Sequence, residues 1–183
     1  MCRVLLVSLC VVGAAASQAT IWGFGAPIID GSQEVPPNGS SAYGTASFTI
    51  DDATWRTAGS VNIWGLTPTQ ITGMHIHQAP VGVNGPVRFN ILANQVTGSP
   101  FNAGTFWVFV FDGVLNLGSN AANQAFLTDM IAGNSYINAH TPTFPGGEIR
   151  GQIHCSGAVP EPATMAVLGL GLLPLLKRAR RKA

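Results

Sequence analysis

The sequence predicts an all-β domain, an antiparallel β-sandwich or barrel with one short helix. Three observations predict it. Apolar residues alternate with polar ones in short runs, turn-forming residues recur between those runs, and a single segment departs from period two toward helical spacing. Ser47-Phe48-Thr49-Ile50 alternates and stops at Asp51-Asp52, which reads as a turn. Ser60 to Trp64 alternates up to Gly65. Phe106 to Phe111 is a continuous apolar run suited to a strand buried on both sides. Tyr136 to His140 places Ile137 and Ala139 on one face, with Tyr136, Asn138 and His140 on the other. Glu148 to His154 repeats the arrangement, with Ile149 and Ile153 opposite Glu148, Arg150, Gln152 and His154. The exception is Ala121 to Ala132, whose Phe126, Leu127, Met130 and Ile131 have helical spacing. Ser119 or Asn120 can cap its start and Gly133-Asn134 can close its end.

The two ends differ from this body. Residues 1–19 combine Arg3, an apolar run from Val4 to Val12 and small residues from Ala14 to Ala19, the layout of a secretion signal peptide. The body is assigned to 20–158. Residues 159–183 begin with Val159-Pro160-Glu161-Pro162, continue through an apolar stretch from Ala163 to Leu176 and end in Lys177, Arg178, Arg180, Arg181 and Lys182. A helix over that stretch would be roughly 21 Å long, short of a hydrocarbon core of roughly 30 Å. It therefore reads as a short transmembrane helix that anchors the chain transiently, with the basic end retained on the cytoplasmic side. The three parts resemble the PEP-CTERM sorting signal of Gram-negative bacteria. That resemblance implies processing by an exosortase-type enzyme and sorting to a cell surface or extracellular matrix rich in exopolysaccharide.

Charge excludes one class of partner. Between Thr20 and Pro160 the only cations besides histidine are Arg56, Arg88 and Arg150, against seven carboxylates, so the body lacks the basic surface that nucleic acid requires. Of three cysteines, Cys2 and Cys10 fall in the signal segment, which leaves Cys155 without an intrachain partner and reads it as a small buried hydrophobe. No Gly-x-Ser-x-Gly elbow, cysteine–histidine pair or phosphate-binding loop is present, so the expectation is a protein that acts by binding or structure and is not an enzyme.

One constellation can carry chemistry. In Met74-His75-Ile76-His77, strand alternation turns both imidazoles to one face, with their Cα atoms roughly 7 Å apart. His140 ends a later strand. His75, His77 and His140 are the candidate ligands for a copper or zinc ion, with redox chemistry as the accompanying possibility; otherwise no cofactor is expected. Glu148 and Arg150 share a face after Pro145-Gly146-Gly147 and read as a structural or binding pair that holds neighbouring strands or a loop. Gly31 to Asn38 reads as a sheet-edge turn, because Pro36 and Pro37 cannot donate ladder hydrogen bonds. Trp22, Trp55, Trp64 and Trp107 would serve a carbohydrate-binding module if exposed, although strand aromatics usually enter the core.

The order of motifs is itself recognisable. Gly31-Ser-Gln-Glu-Val-Pro-Pro37, Gly44-Thr-Ala-Ser-Phe48, Gly73-Met-His-Ile-His77, Gly82-Val-Asn-Gly-Pro-Val87, Gly133 to Thr141 and Pro145-Gly-Gly-Glu-Ile-Arg-Gly-Gln-Ile153 follow one another. Together they resemble the CHRD domain, named from the animal protein chordin, over roughly Ile28 to Ile153. The resemblance implies an immunoglobulin-like sandwich in an exported protein. A narrower likeness joins it: a His-x-His strand followed by a later histidine is similar to the copper ligands of copper–zinc superoxide dismutase. The zinc loop, disulfide and lysine-bearing loop of that enzyme have no counterpart in this body.

Overall fold

The computed structural model describes residues 19–159. The segments read as secretion signal and sorting tail lie outside the described residues except for Ala19 and Val159, so Pro160, Glu161 and Pro162 are not described. Ten strands follow in chain order: β1 (Ile21–Asp30), β2 (Tyr43–Asp51), β3 (Arg56–Trp64), β4 (Gly73–His77), β5 (Val87–Asn90), β6 (Phe101–Asn102), β7 (Trp107–Val114), β8 (Tyr136–His140), β9 (Ile149–Gln152) and β10 (His154–Val159). One helix, α1 (Asn120–Ile131), lies between β7 and β8. The fold is all-β with one short helix, as the alternation predicts. No helix among the described residues is long and apolar enough to cross a membrane.

All ten strands belong to one antiparallel sheet in the order β5-β4-β8-β9-β1-β2-β3-β7-β6, with β10 also paired to β1. The sheet curls until its distant parts meet: Phe89 of β5 packs on Phe111 of β7 with ring centroids 5.8 Å apart. The curl encloses a core that includes Phe24, Phe48, Ile63, Met74, Ile76, Phe109, Phe126, Ile137 and Ile149. Burial of this apolar surface is the main driving force for the fold.

β1 is the hinge of the architecture. Its first half pairs with β10, from Ile21 opposite Val159 to Gly25 opposite His154, and its end pairs with β9 through Asp30 opposite Arg150. Val159, the first residue of the sorting motif, is thus the last residue of β10. β1 carries Gly23, Gly25 and Pro27, and its register with β2 shifts between Ala26 and Ile29. A bulge is where a strand accepts a proline that cannot donate.

α1 begins at Ser119, whose side chain accepts from the Ala122 amide, and Gly133 beyond its end takes φ 81°. The run from Phe106 differs from expectation. Phe109 and Phe111 are buried while Val108 and Val110 are half-buried, so β7 has one core face only. Its other side meets a loop, where the Val96 amide donates to the Val110 carbonyl. Of the tryptophans, Trp55 joins the core and Trp22 and Trp107 pack against it, while Trp64 stacks between Tyr43 and Phe106. Cys155 is half-buried against the core. His154 is exposed.

Candidate metal centre

β4, β8 and β9 lie side by side, and their core-facing residues Met74, Ile76, Ile137, Ala139 and Ile149 are all buried. Alternation then sends His75 and His77, Tyr136, Asn138 and His140, and Arg150 and Gln152 to the opposite face. Register sets the rows on that face: Gly73 opposite His140, His75 opposite Asn138, His77 opposite Tyr136, and Asn138 opposite Arg150. The three predicted histidines are thereby brought together. Ring centroids of His75 and His140 are 5.2 Å apart, those of His75 and His77 5.7 Å, and those of His77 and His140 6.0 Å. One nitrogen from each ring lies within 4.8 Å of the others.

This polar face is buried because three loops cover it. Asn84 donates to the Val35 carbonyl, joining loop 78–86 to the segment after β1, and Asn38 donates to the carbonyls of Gly147 and Glu148. The segment Gly31 to Asn38 thus bridges loops and carries Glu34 into the interior, where it is 4% exposed. Asn38, the first residue of an Asn-Gly-Ser sequence, is engaged in this lacing.

Under the loops the imidazoles are oriented individually. His77 Nδ1 is 2.9 Å from the Gly85 carbonyl oxygen, and His140 Nδ1 is 3.1 Å from that of Pro145. A carbonyl only accepts, so both Nδ1 atoms carry the hydrogen and both Nε2 atoms carry the lone pair. His77 Nε2, His140 Nε2 and His75 Nδ1 are buried and have no hydrogen-bond partner among the described residues. Unpartnered buried polar atoms cost about 1–3 kcal/mol each, so three together call for a missing partner. A metal ion would supply one. The donors need to close to separations of roughly 3.3 Å around bonds of roughly 2.0 Å, a shift within the reach of side-chain torsions. Gly73 makes room: a Cβ there would stand 2.9 Å from His75 Cε1 and 3.4 Å from His140 Cδ2.

The electrostatics favour neutral, ligating imidazoles. Burial pushes His75 down to about 4, reinforced by the facing His140 and His77. Burial also lowers His77 and His140; for His77 the bond to Gly85 opposes the shift, and the charges of His140 and Arg150 add to it. Glu34 moves the other way, raised to about 7 by burial against the weaker pull of Asn138 and Arg150. Below about 6.5 the unfolded chain protonates histidines that the folded metal-free protein keeps neutral, so their effect is to reduce stability as pH falls. Glu34 has the opposite sign, because between 4.5 and about 7 the folded state holds a proton the unfolded state has released. The melting temperature of the metal-free His75→Gln variant is therefore expected to fall less than that of the wild type between about pH 6.5 and pH 4.5. Parallel curves would contradict the assignment.

Glu148 and Arg150 are buried on the same face but do not pair with each other. Glu148 accepts from the Ser40 and Thr141 hydroxyls. Arg150 donates to the carbonyls of Pro80 and Val83 and to Asn84 Oδ1. Its guanidinium carbon lies 3.5 Å from the centre of the Tyr136 ring. The partner they lack in one another is replaced by separate loops, because Arg150 reaches loop 78–86 while Glu148 turns to loop 141–147. Tyr136, Asn138 and Glu34 belong to the same surroundings. Alternation already placed Tyr136 and Asn138 beside His140, whereas Glu34 arrives from a segment that carries no periodic signal.

The fold and this cluster define a class of protein: an all-β module with a loop-covered polar site on the outer face of its sheet. The chain belongs to the CHRD-domain family, whose model matches residues 27–153. A PEP-CTERM protein-sorting motif matches residues 158–182, so this is an exported, exosortase-processed surface protein whose C-terminus associates with the membrane. No curated protein and no solved structure matches the chain.

Proposed function

We propose that this protein acts at the cell surface or in the extracellular matrix as a metal-binding module, not as an enzyme, and that His75, His77 and His140 hold one copper or zinc ion. Two observations carry the reading: one nitrogen from each of the three imidazoles lies within 4.8 Å of the others, and each ring has a buried nitrogen without a hydrogen-bond partner. Two of them donate their other N–H to a backbone carbonyl, the arrangement that fixes the tautomer of a metal-ligating histidine. Three neutral nitrogen ligands suit copper and zinc and are poor hosts for calcium or magnesium, which take oxygen. In this reading the C-terminal segment holds the chain at the membrane only until processing releases it into the surface layer, where exopolysaccharide or surface proteins are its neighbours.

Equilibration of the purified protein with copper, zinc and calcium, followed by desalting and elemental analysis, tests the proposal. One copper or zinc per chain is expected, with no calcium, and the His75→Ala/His77→Ala double variant is expected to retain none. Equal metal in both proteins would overturn the assignment.

A further inference from the structure

We infer that Arg150 and Glu148 are positioning residues of the metal site, each fixing the one loop carbonyl that orients one ligand. The inference rests on the metal-binding reading and assigns a role to two buried charges that ligate nothing themselves.

The path from Arg150 is short. Its Nη2 donates to the Val83 carbonyl at 2.9 Å and to that of Pro80 at 3.3 Å, and its Nη1 donates to Asn84 Oδ1 at 3.2 Å. The next residue is Gly85, whose carbonyl receives His77 Nδ1–H. The Gly85 amide in turn donates to the Tyr136 hydroxyl at 3.1 Å. Tyr136 lies on β8 between His77 of β4 and Arg150 of β9. It stacks on the His77 ring with centroids 4.8 Å apart while Arg150 covers it from the β9 side. The guanidinium therefore sets both the loop that receives the His77 N–H and the ring against which His77 rests. Its planar fork, which meets three acceptors at once, cannot be reproduced by an ammonium group.

Glu148 does the same for His140. One carboxylate oxygen accepts from Ser40 Oγ at 2.7 Å and the other from Thr141 Oγ1. Thr141 opens the turn that presents the Pro145 carbonyl, and its hydroxyl also accepts from the Phe144 amide at 3.2 Å. The Glu148 amide donates to the Ala139 carbonyl at 2.8 Å, which ties both ends of the turn to the strand that bears His140. The sequence Pro145 to Gln152 thus encodes two clamps two residues apart, Glu148 just before β9 and Arg150 within it, each aimed at a different loop and a different imidazole.

Outer-shell partners of this kind are worth about 10–100-fold in metal affinity. The test uses the purified protein and competition titrations with copper(II) or zinc(II) against a chelator. Nitrogen-15 NMR of the histidine rings in the metal-free protein provides a readout that does not depend on metal. Arg150→Lys and Asn84→Ala, the latter on an exposed side chain, are expected to weaken binding by about 10–100-fold and to release the His77 tautomer while leaving His140 fixed. Glu148→Ala is expected to do the reverse, and Glu148→Gln to restore most of the affinity, because the Ser40 and Thr141 hydroxyls can accept as well as donate. Wild-type affinity and unchanged tautomers in these variants would overturn the inference alone. A wild type that takes up no copper or zinc would overturn the metal-binding reading beneath it.

Discussion

Arg150→Ala is expected to destabilise the domain by about 3–5 kcal/mol, because it removes three hydrogen bonds from a charged donor and a cation–π contact. The side chain is 1% exposed, lies over Tyr136 and makes three hydrogen bonds to neutral acceptors. Bonds from a charged donor contribute about 1.5–3 kcal/mol each and a desolvated cation–π contact about 2. The loss falls short of their sum because Pro80, Val83 and Asn84 sit on an exposed loop whose acceptors can turn to water. A denaturant titration measures the effect through the transition midpoint. Arg150→Met keeps part of the stem packing and separates it from the hydrogen bonds. A change below about 1 kcal/mol in Arg150→Ala would show that the loop is held by other means.

Gly73→Val is expected to lower copper or zinc affinity by at least about tenfold, equivalent to about 1.4 kcal/mol, while β4 remains folded. The added Cβ would meet His75 Cε1 at 2.9 Å, and the γ-methyls require space that the His75 and His140 rings occupy. The backbone itself tolerates the change, since valine is a good strand former and Gly73 has an ordinary strand conformation. Circular dichroism reports the fold and a competition titration reports the affinity. Unchanged affinity would mean that the rings do not need their present positions to bind, contrary to the account.

Much of the fold could be read from the sequence because its signals are local. Thr49 and Ile50 take opposite faces of β2, Ser119 and Gly133 bound α1, and His75 and His77 fall on the face opposite Met74 and Ile76. β1 escaped notice because Gly23, Gly25, Pro27 and a bulge erase its period, although it carries both β2 and β10. The meeting of His140 with the pair on β4 depends on register between strands about sixty residues apart, which no window along the chain can reveal. The roles of Glu148 and Arg150 were hidden for the same reason. They share a face, which suggests a pair, but their bonds reach Ser40 and Asn84 across separations of 108 and 66 residues. Glu34 had no legible role, because its burial is imposed by loops closing over it and not by any pattern of its own.

In the proposed site, three imidazoles of this surface protein converge on one metal ion. X-ray absorption at the copper or zinc edge of the metal-loaded wild type tests it most directly. A first shell of nitrogen at about 2.0 Å is expected, with the outer-shell scattering of three imidazoles, reduced to two in His140→Ala. A shell dominated by oxygen, or imidazole scattering unchanged by loss of His140, would contradict it.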